Sequence, residues 1–146
     1  MQRRREKRPY MRKIDFVFYN EAAIREAVFE AREEVRQPEV FNGSGLPDPT
    51  LREVIRRLMP IEAVTICGDT LKNPERWIEV IDKTYAWCKR QSDIHYEIAR
   101  RRYKGEHYLK TCRELAISEP LLYQIMEKVR VYAALQAAQF GLIFVD

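Results

Sequence analysis

The chain has 146 residues, with 26 basic and 22 acidic side chains for a net charge of +4, and 46% of it is hydrophobic. This is one domain's worth of chain, long enough to bury a core of its own. Five Gly, seven Pro and three Ser are too few for collagen, a flexible linker or broad disorder.

No apolar stretch reaches the roughly 18 residues a bilayer crossing needs. The longest, Val131 to Val145, contains Gln136 and Gln139. The basic N-terminus has no apolar segment behind it, so no secretory signal is expected. Cys67, Cys88 and Cys112 are odd in number and form no CxxC pair, so neither a disulfide framework nor a metal site follows. The expectation is a soluble cytoplasmic protein without membrane partners or cofactors.

Charge is uneven along the chain. Residues 1–13 hold Arg3, Arg4, Arg5, Lys7, Arg8, Arg12 and Lys13 against Glu6, residues 14–73 sum to −4, and residues 74–146 to +2. Residues 1–13 are expected to be a disordered basic tail, suited to DNA phosphate because each neutralised phosphate releases counterions. A merely solubilising terminus is the alternative.

From Asn20, Ile24, Ala27, Val28, Ala31 and Val35 recur at helical spacing, with Asn20 as N-cap and Glu21 in the first turn. Pro38 ends that helix, and Asn42 to Thr50 is the strong breaker cluster. Asp48-Pro49 then opens a short helix through Leu51, Val54, Ile55 and Leu58. Val64-Thr65-Ile66-Cys67 has strand-like composition but is too short to imply a sheet.

Asn73-Pro74-Glu75 repeats the cap-then-proline signal and opens a helix carrying Trp77, Ile78, Ile81, Tyr85 and Cys88. A further helix follows Ser92, with Ile94 and Ile98 expected inward, and ends at Gly105, the glycine expected just past a helix. The fold class is all-α, a helical bundle. Residues 14–73 are expected to form an N-terminal helical region and 74–146 a second region.

The segment after Gly105 carries the functional signal. A helix from Tyr108 to Leu115 is followed by Ala116-Ile117 and a new start at Ser118, with Glu119 and Pro120 in its first turn. Cys112 is the small residue where the helices cross, and Leu115, Ile117, Leu122 and Ile125 hold the crossing. That spacing is a helix-turn-helix, with an ordinary helical hairpin as the alternative.

Set into a major groove, the second helix brings Glu119, Leu121 and Gln124 nearest base edges, with Gln124 suited to adenine and Leu121 to a thymine methyl. Tyr108, Lys110, Tyr123 and Lys128 fall to phosphate, and Ser118 caps the reading helix. On the preceding helix Tyr96, Arg100 and Tyr103 recur with Arg101, Arg102 and Lys104 beside them. This is a basic, aromatic stripe that adds Arg100 and Arg101 to the candidate DNA contacts. Its alternative is Tyr103 in the core and the arginines on a solvated face. Glu119 to Lys128 contains no arginine, and Glu119 and Glu127 repel backbone phosphate, although either can accept from cytosine N4.

The Gly105 to Gln124 spacing resembles region four of primary sigma factors and the phage regulators of the RinA and ArpU types. Gly43-Ser44-Gly45 leading into Asp48-Pro49-Thr50 is similar to the N-terminal half of the RinA-like group. The resemblance implies a phage or prophage protein that binds double-stranded DNA to control late genes, with RNA polymerase as a further partner.

Catalysis is not expected. His95 and His107 are the only histidines, and no phosphate loop, nucleophile motif or metal-ligand spacing occurs. Cys112 with His107 reads better as a small core residue than as half of a dyad. Two other classes stay open: a phage small terminase subunit that recognises viral DNA for packaging, and a helical interaction protein without DNA. The C-terminal helix from Ser118 could run about 22 residues, with Leu135, Ala138 and Leu142 off its main apolar stripe. Self-association, with a dimer favoured, is therefore expected; the alternative is that Phe140 to Val145 folds back within one chain.

Overall fold

The computed structural model describes residues 8–36 and 59–144. The described residues are mostly helical, with one small two-stranded sheet, so the fold is all-α. The expected Gly43 to Thr50 segment and the helix through Leu58 lie outside the described residues. The chain divides into two compact units, residues 1–21 with 79–146 and residues 22–78. This differs from a division at residue 73, because the first helix belongs with the C-terminal half.

That first helix, α1 (Pro9–Tyr19), corrects the expected tail. Pro9 suits the first helical turn, where its missing N–H is no loss. Met11, Ile14, Val17 and Phe18 then form a buried stripe at helical spacing. Arg12 and Lys13 are thus the outer side of an amphipathic helix, and only residues before Pro9 can be tail. Asn20 sits between α1 and α2 (Glu21–Arg36), and its side-chain amide donates back to the Phe16 carbonyl at 2.8 Å.

The smaller unit, 22–78, buries Ile24, Ile66, Leu71 and Trp77. Arg32 pairs with Glu75 and donates to the Met59 carbonyl at 3.1 Å. Val64 to Cys67 does build a sheet. Strand β1 (Ala63–Ile66) pairs antiparallel with β2 (Asp69–Lys72), Val64 opposite Leu71. Cys67 and Gly68 form a two-residue turn, both with positive φ, which matches the twist of an antiparallel pair. Ile66 and Leu71 point to the buried side.

Helix α3 (Pro74–Gln91) starts where the cap-then-proline signal places it. The Asn73 carbonyl accepts from the Arg76 and Trp77 amides. Ser92 caps α4 (Asp93–Tyr103), its hydroxyl accepting from the His95 amide at 3.2 Å. Gly105, at φ +88°, closes that helix, and the Glu106 amide reaches back to the Arg101 carbonyl.

Two helices complete the larger unit: α5 (Tyr108–Leu115) and α6 (Glu119–Gln139). The C-terminal helix therefore has 21 residues, about the length expected. Gly141 ends it at φ +71°, Ile143 is buried again, and Phe144 is 91% exposed.

Packing in this unit centres on α1 and α6. Leu122, Met126, Val129, Ala133 and Ala137 of α6 are buried, as are Val80, Ile81 and Cys88 of α3 and Ile98 of α4, whereas Ile94, expected inward, is exposed in the first turn of α4. Phe18 lies 4.9 Å from the Tyr103 ring and 5.8 Å from Tyr85. Inside this apolar set sits one carboxylate. Asp15 accepts from the Tyr103 hydroxyl at 3.0 Å and from Arg130 Nε at 2.9 Å.

Candidate nucleic-acid interface

The α5–turn–α6 unit is built by three local devices. His107 opens α5 by accepting the Leu109 amide on Nδ1 at 3.2 Å. Ala116 ends α5 in the left-handed region, φ +53° and ψ +47°, and the Ile117 amide bonds back to the Cys112 carbonyl. Ser118 then starts α6, its hydroxyl accepting the Leu121 amide at 3.3 Å. Cys112, Leu122 and Ile125 are buried, while Leu115 and Ile117, expected to share the crossing with them, are half-buried.

The first turns of α6 are open to solvent. Glu119, Leu121, Gln124 and Lys128 are exposed, Leu121 by 40%. Tyr123 is exposed and its ring lies 6.0 Å from that of Tyr108, which stacks at 4.6 Å on His107. Lys110 is exposed and sits 3.7 Å from Glu106. Ser118, Tyr108, Lys110, Glu119, Leu121, Tyr123, Gln124 and Lys128 therefore belong to one pair of adjoining helices.

Arg100 and Arg101 are placed differently. Arg100 donates to Glu97 at 2.8 Å. Arg101 gathers three carboxylates: Glu97 at 3.1 Å, Glu106 at 3.5 Å, and Glu114 on α5. Thr111, fully buried, donates to Glu106 at 2.8 Å. Hydrogen bonds from Arg100 and Arg101 hold the Glu97 carboxyl below its usual range, and the Thr111 hydroxyl does the same for Glu106. Arg101 thus ties α4 and the turn after it to α5, Arg100 is paired within α4, and Tyr103 is a core residue. The solvated-stripe alternative holds for Tyr103 but not for Arg101, whose charge is spent on its own chain.

Of the basic residues before α1, Arg3, Arg4, Arg5 and Lys7 lie outside the described residues. Arg8 marks where that segment joins the fold. Its guanidinium donates to the Tyr10 hydroxyl at 3.1 Å, which holds it charged, and the Glu127 carboxylate adds to that. Sequence spacing held no signal for the influence of Glu127, which reaches Arg8 from another helix.

Cys88 and Cys112 are buried, and burial pushes the Cys88 thiol up to about 11. Among the described residues no group of His, Cys, Asp and Glu could hold a metal ion, and no helix is long and apolar enough to cross a membrane. A scan of protein-family models, a search of curated proteins and a search of solved structures each found no match.

Proposed function

We propose that this protein binds double-stranded DNA through α5 and α6 and regulates transcription, as a late-gene activator of phage or prophage type. The observation that carries the reading is the exposed, Ser118-capped start of α6, on a chain whose residues 3–8 hold five basic side chains. Its first turns, Glu119 to Lys128, have the donors and apolar tips for base edges but no arginine. The segment before Pro9 supplies the arginines that those turns lack. The resemblance to RinA- and ArpU-type regulators points the same way, and implies RNA polymerase as a partner and the cytoplasm of a bacterial host as the setting.

The test separates reading from grip. Gln124→Ala should change preference among duplex sequences, while Lys110→Ala should weaken binding to all of them about equally. No measurable duplex binding by the full chain at low salt would overturn the reading.

A small terminase subunit is the second reading, favoured by one observation. Leu135 is 55% exposed on α6 and Phe144 is exposed close by in sequence, apolar surface of the kind a ring of subunits covers. Mass in solution decides between them: roughly eight to twelve subunits would favour packaging, and a monomer or dimer the regulator.

A further inference from the structure

Helix α5 carries the candidate phosphate contacts Tyr108 and Lys110, yet it has little apolar hold on the larger unit. It is eight residues long, and Thr111 and Cys112 are its buried residues. Helices that short are marginal in water and depend on contacts from outside themselves. Helix α6 differs, since a buried stripe from Leu122 to Ala137 seats it along most of its length.

The outside hold on α5 is largely ionic, and it comes from α4. Glu97 Oε2 accepts from Arg100 at 2.8 Å and from Arg101 Nε at 3.1 Å, so the near end of the Arg101 guanidinium is fixed by its own helix. The far end, Nη1, crosses to two carboxylates, Glu106 at 3.5 Å and Glu114. Glu106 stands just before the His107 cap of α5, and Glu114 is the last residue but one of that helix. One nitrogen therefore reaches both ends of α5.

Glu106 is itself pinned. The buried Thr111 hydroxyl donates to its Oε2 at 2.8 Å, and the Arg102 guanidinium donates to its carbonyl at 3.1 Å. Its Oε1 faces the Lys110 ammonium at 3.7 Å. A planar guanidinium fork between fixed oxygens sets direction as well as distance, which an ammonium on a flexible stem does not.

We infer that Arg101 is a positioning residue for DNA binding. It sets the orientation of α5 from both ends, and so where Tyr108 and Lys110 meet the backbone while α6 reads the groove. The inference rests on the DNA-binding reading. It gives Arg101 an indirect role in place of the direct phosphate contact that the basic stripe on α4 suggests.

Glu114→Gln tests this by the sign of its effect. Glu114 is 46% exposed, so the variant keeps the fold, and it loses one negative charge. Electrostatics alone would tighten its binding to a duplex. Loosening Arg101 should instead weaken binding about three- to tenfold for every duplex sequence, because a hydrogen bond to a charged group carries about tenfold and α5 keeps its other holds. Arg101→Lys keeps the charge and loses the fork. It should weaken binding by a similar factor, whereas a direct phosphate contact would survive with lysine in place. Both losses should nearly vanish in a Tyr108→Phe, Lys110→Ala background, because the groups that Arg101 aims are then absent. A purely structural role for Arg101 would lower the Tm and show no such coupling.

Wild-type or tighter duplex binding by Glu114→Gln, or wild-type binding by Arg101→Lys, would overturn the positioning role and leave the DNA-binding reading standing. Losses of undiminished size in the doubly substituted background would do the same. A wild-type chain that binds no duplex at low salt would overturn the DNA-binding reading, and the positioning role with it.

Discussion

Asp15 and Arg130, 115 positions apart, meet at 2.9 Å and are both largely buried, with 10% and 15% of their side chains exposed. The pair joins the first described helix to the last. Tyr103 completes it by donating to the same carboxylate oxygen, and burial beside Asp15 pushes the Tyr103 phenol far above its ordinary range. Asp15→Ala leaves the Arg130 guanidinium without this carboxylate in an apolar setting. Such a break costs about 3 kcal/mol or more, equivalent to a Tm roughly 10 °C lower in a chain of this size. Thermal unfolding by circular dichroism measures it, and an unchanged Tm would mean that water replaces the carboxylate at no loss.

Removing residues 2–7 takes away Arg3, Arg4, Arg5 and Lys7 while leaving α1 whole. The slope of log duplex affinity against log salt should flatten by about three to four, one step for each phosphate no longer neutralised. Helix content should not change, because Pro9 already starts the helix. A slope equal to that of the full chain would assign the basic segment another role.

Ala116 holds a left-handed conformation that disfavours any Cβ. Ala116→Gly should therefore stabilise the fold, by up to about 1 kcal/mol once the looser unfolded chain is counted against it. Ala116→Val, branched at Cβ, should destabilise it. The urea midpoints of the two variants should lie on opposite sides of the wild type, and the same order for both would contradict the geometry.

His95 makes a pH prediction with a definite sign. Its folded pKa is depressed, first by burial and then by Lys128, with the Ser92 hydroxyl on Nδ1 and the uncharged Trp87 ring on its other side. The unfolded chain then binds the proton more readily. Its stabilising contribution is present above the ordinary histidine pKa and is lost as pH falls through the folded value. Removing the ammonium with Lys128→Ala should raise the His95 pKa, followed by its ring proton shift between pH 5 and 8. A lower pKa in that variant would show that Lys128 acts in some way other than by its charge.

The helix starts were legible wherever a polar cap precedes a proline or an acidic first turn. Asn73-Pro74, Ser92-Asp93 and Ser118-Glu119-Pro120 all open helices where local chemistry says they should. The hairpin was not legible, because its turn is Cys67-Gly68 and lacks the Asn-Gly or Asp-Gly pair that marks such turns. Helix α1 was hidden by its charges: Arg12 and Lys13 extend the basic run, and only the buried Met11–Phe18 stripe separates them from it. On the candidate interface, the exposed face of α6 followed from helical spacing alone. Arg101 did not, since Glu97, Glu106 and Glu114 reach it through a turn and a second helix.

The division of the chain has a consequence for how it is made. The larger unit takes residues 1–21 from one side of the smaller unit and 79–146 from the other, and Asp15 waits for Arg130. During synthesis, α1 leaves the ribosome before every other described helix and meets α6 only after all of them have emerged. Until then Ile14, Val17 and Phe18 are an uncovered apolar strip on a nascent chain. The smaller unit, continuous in sequence, can close on itself sooner. Maturation of this protein should therefore run from the inserted middle outward, with the two flanking segments joining last, and a stalled nascent chain lacking α6 should be the form that chaperones hold.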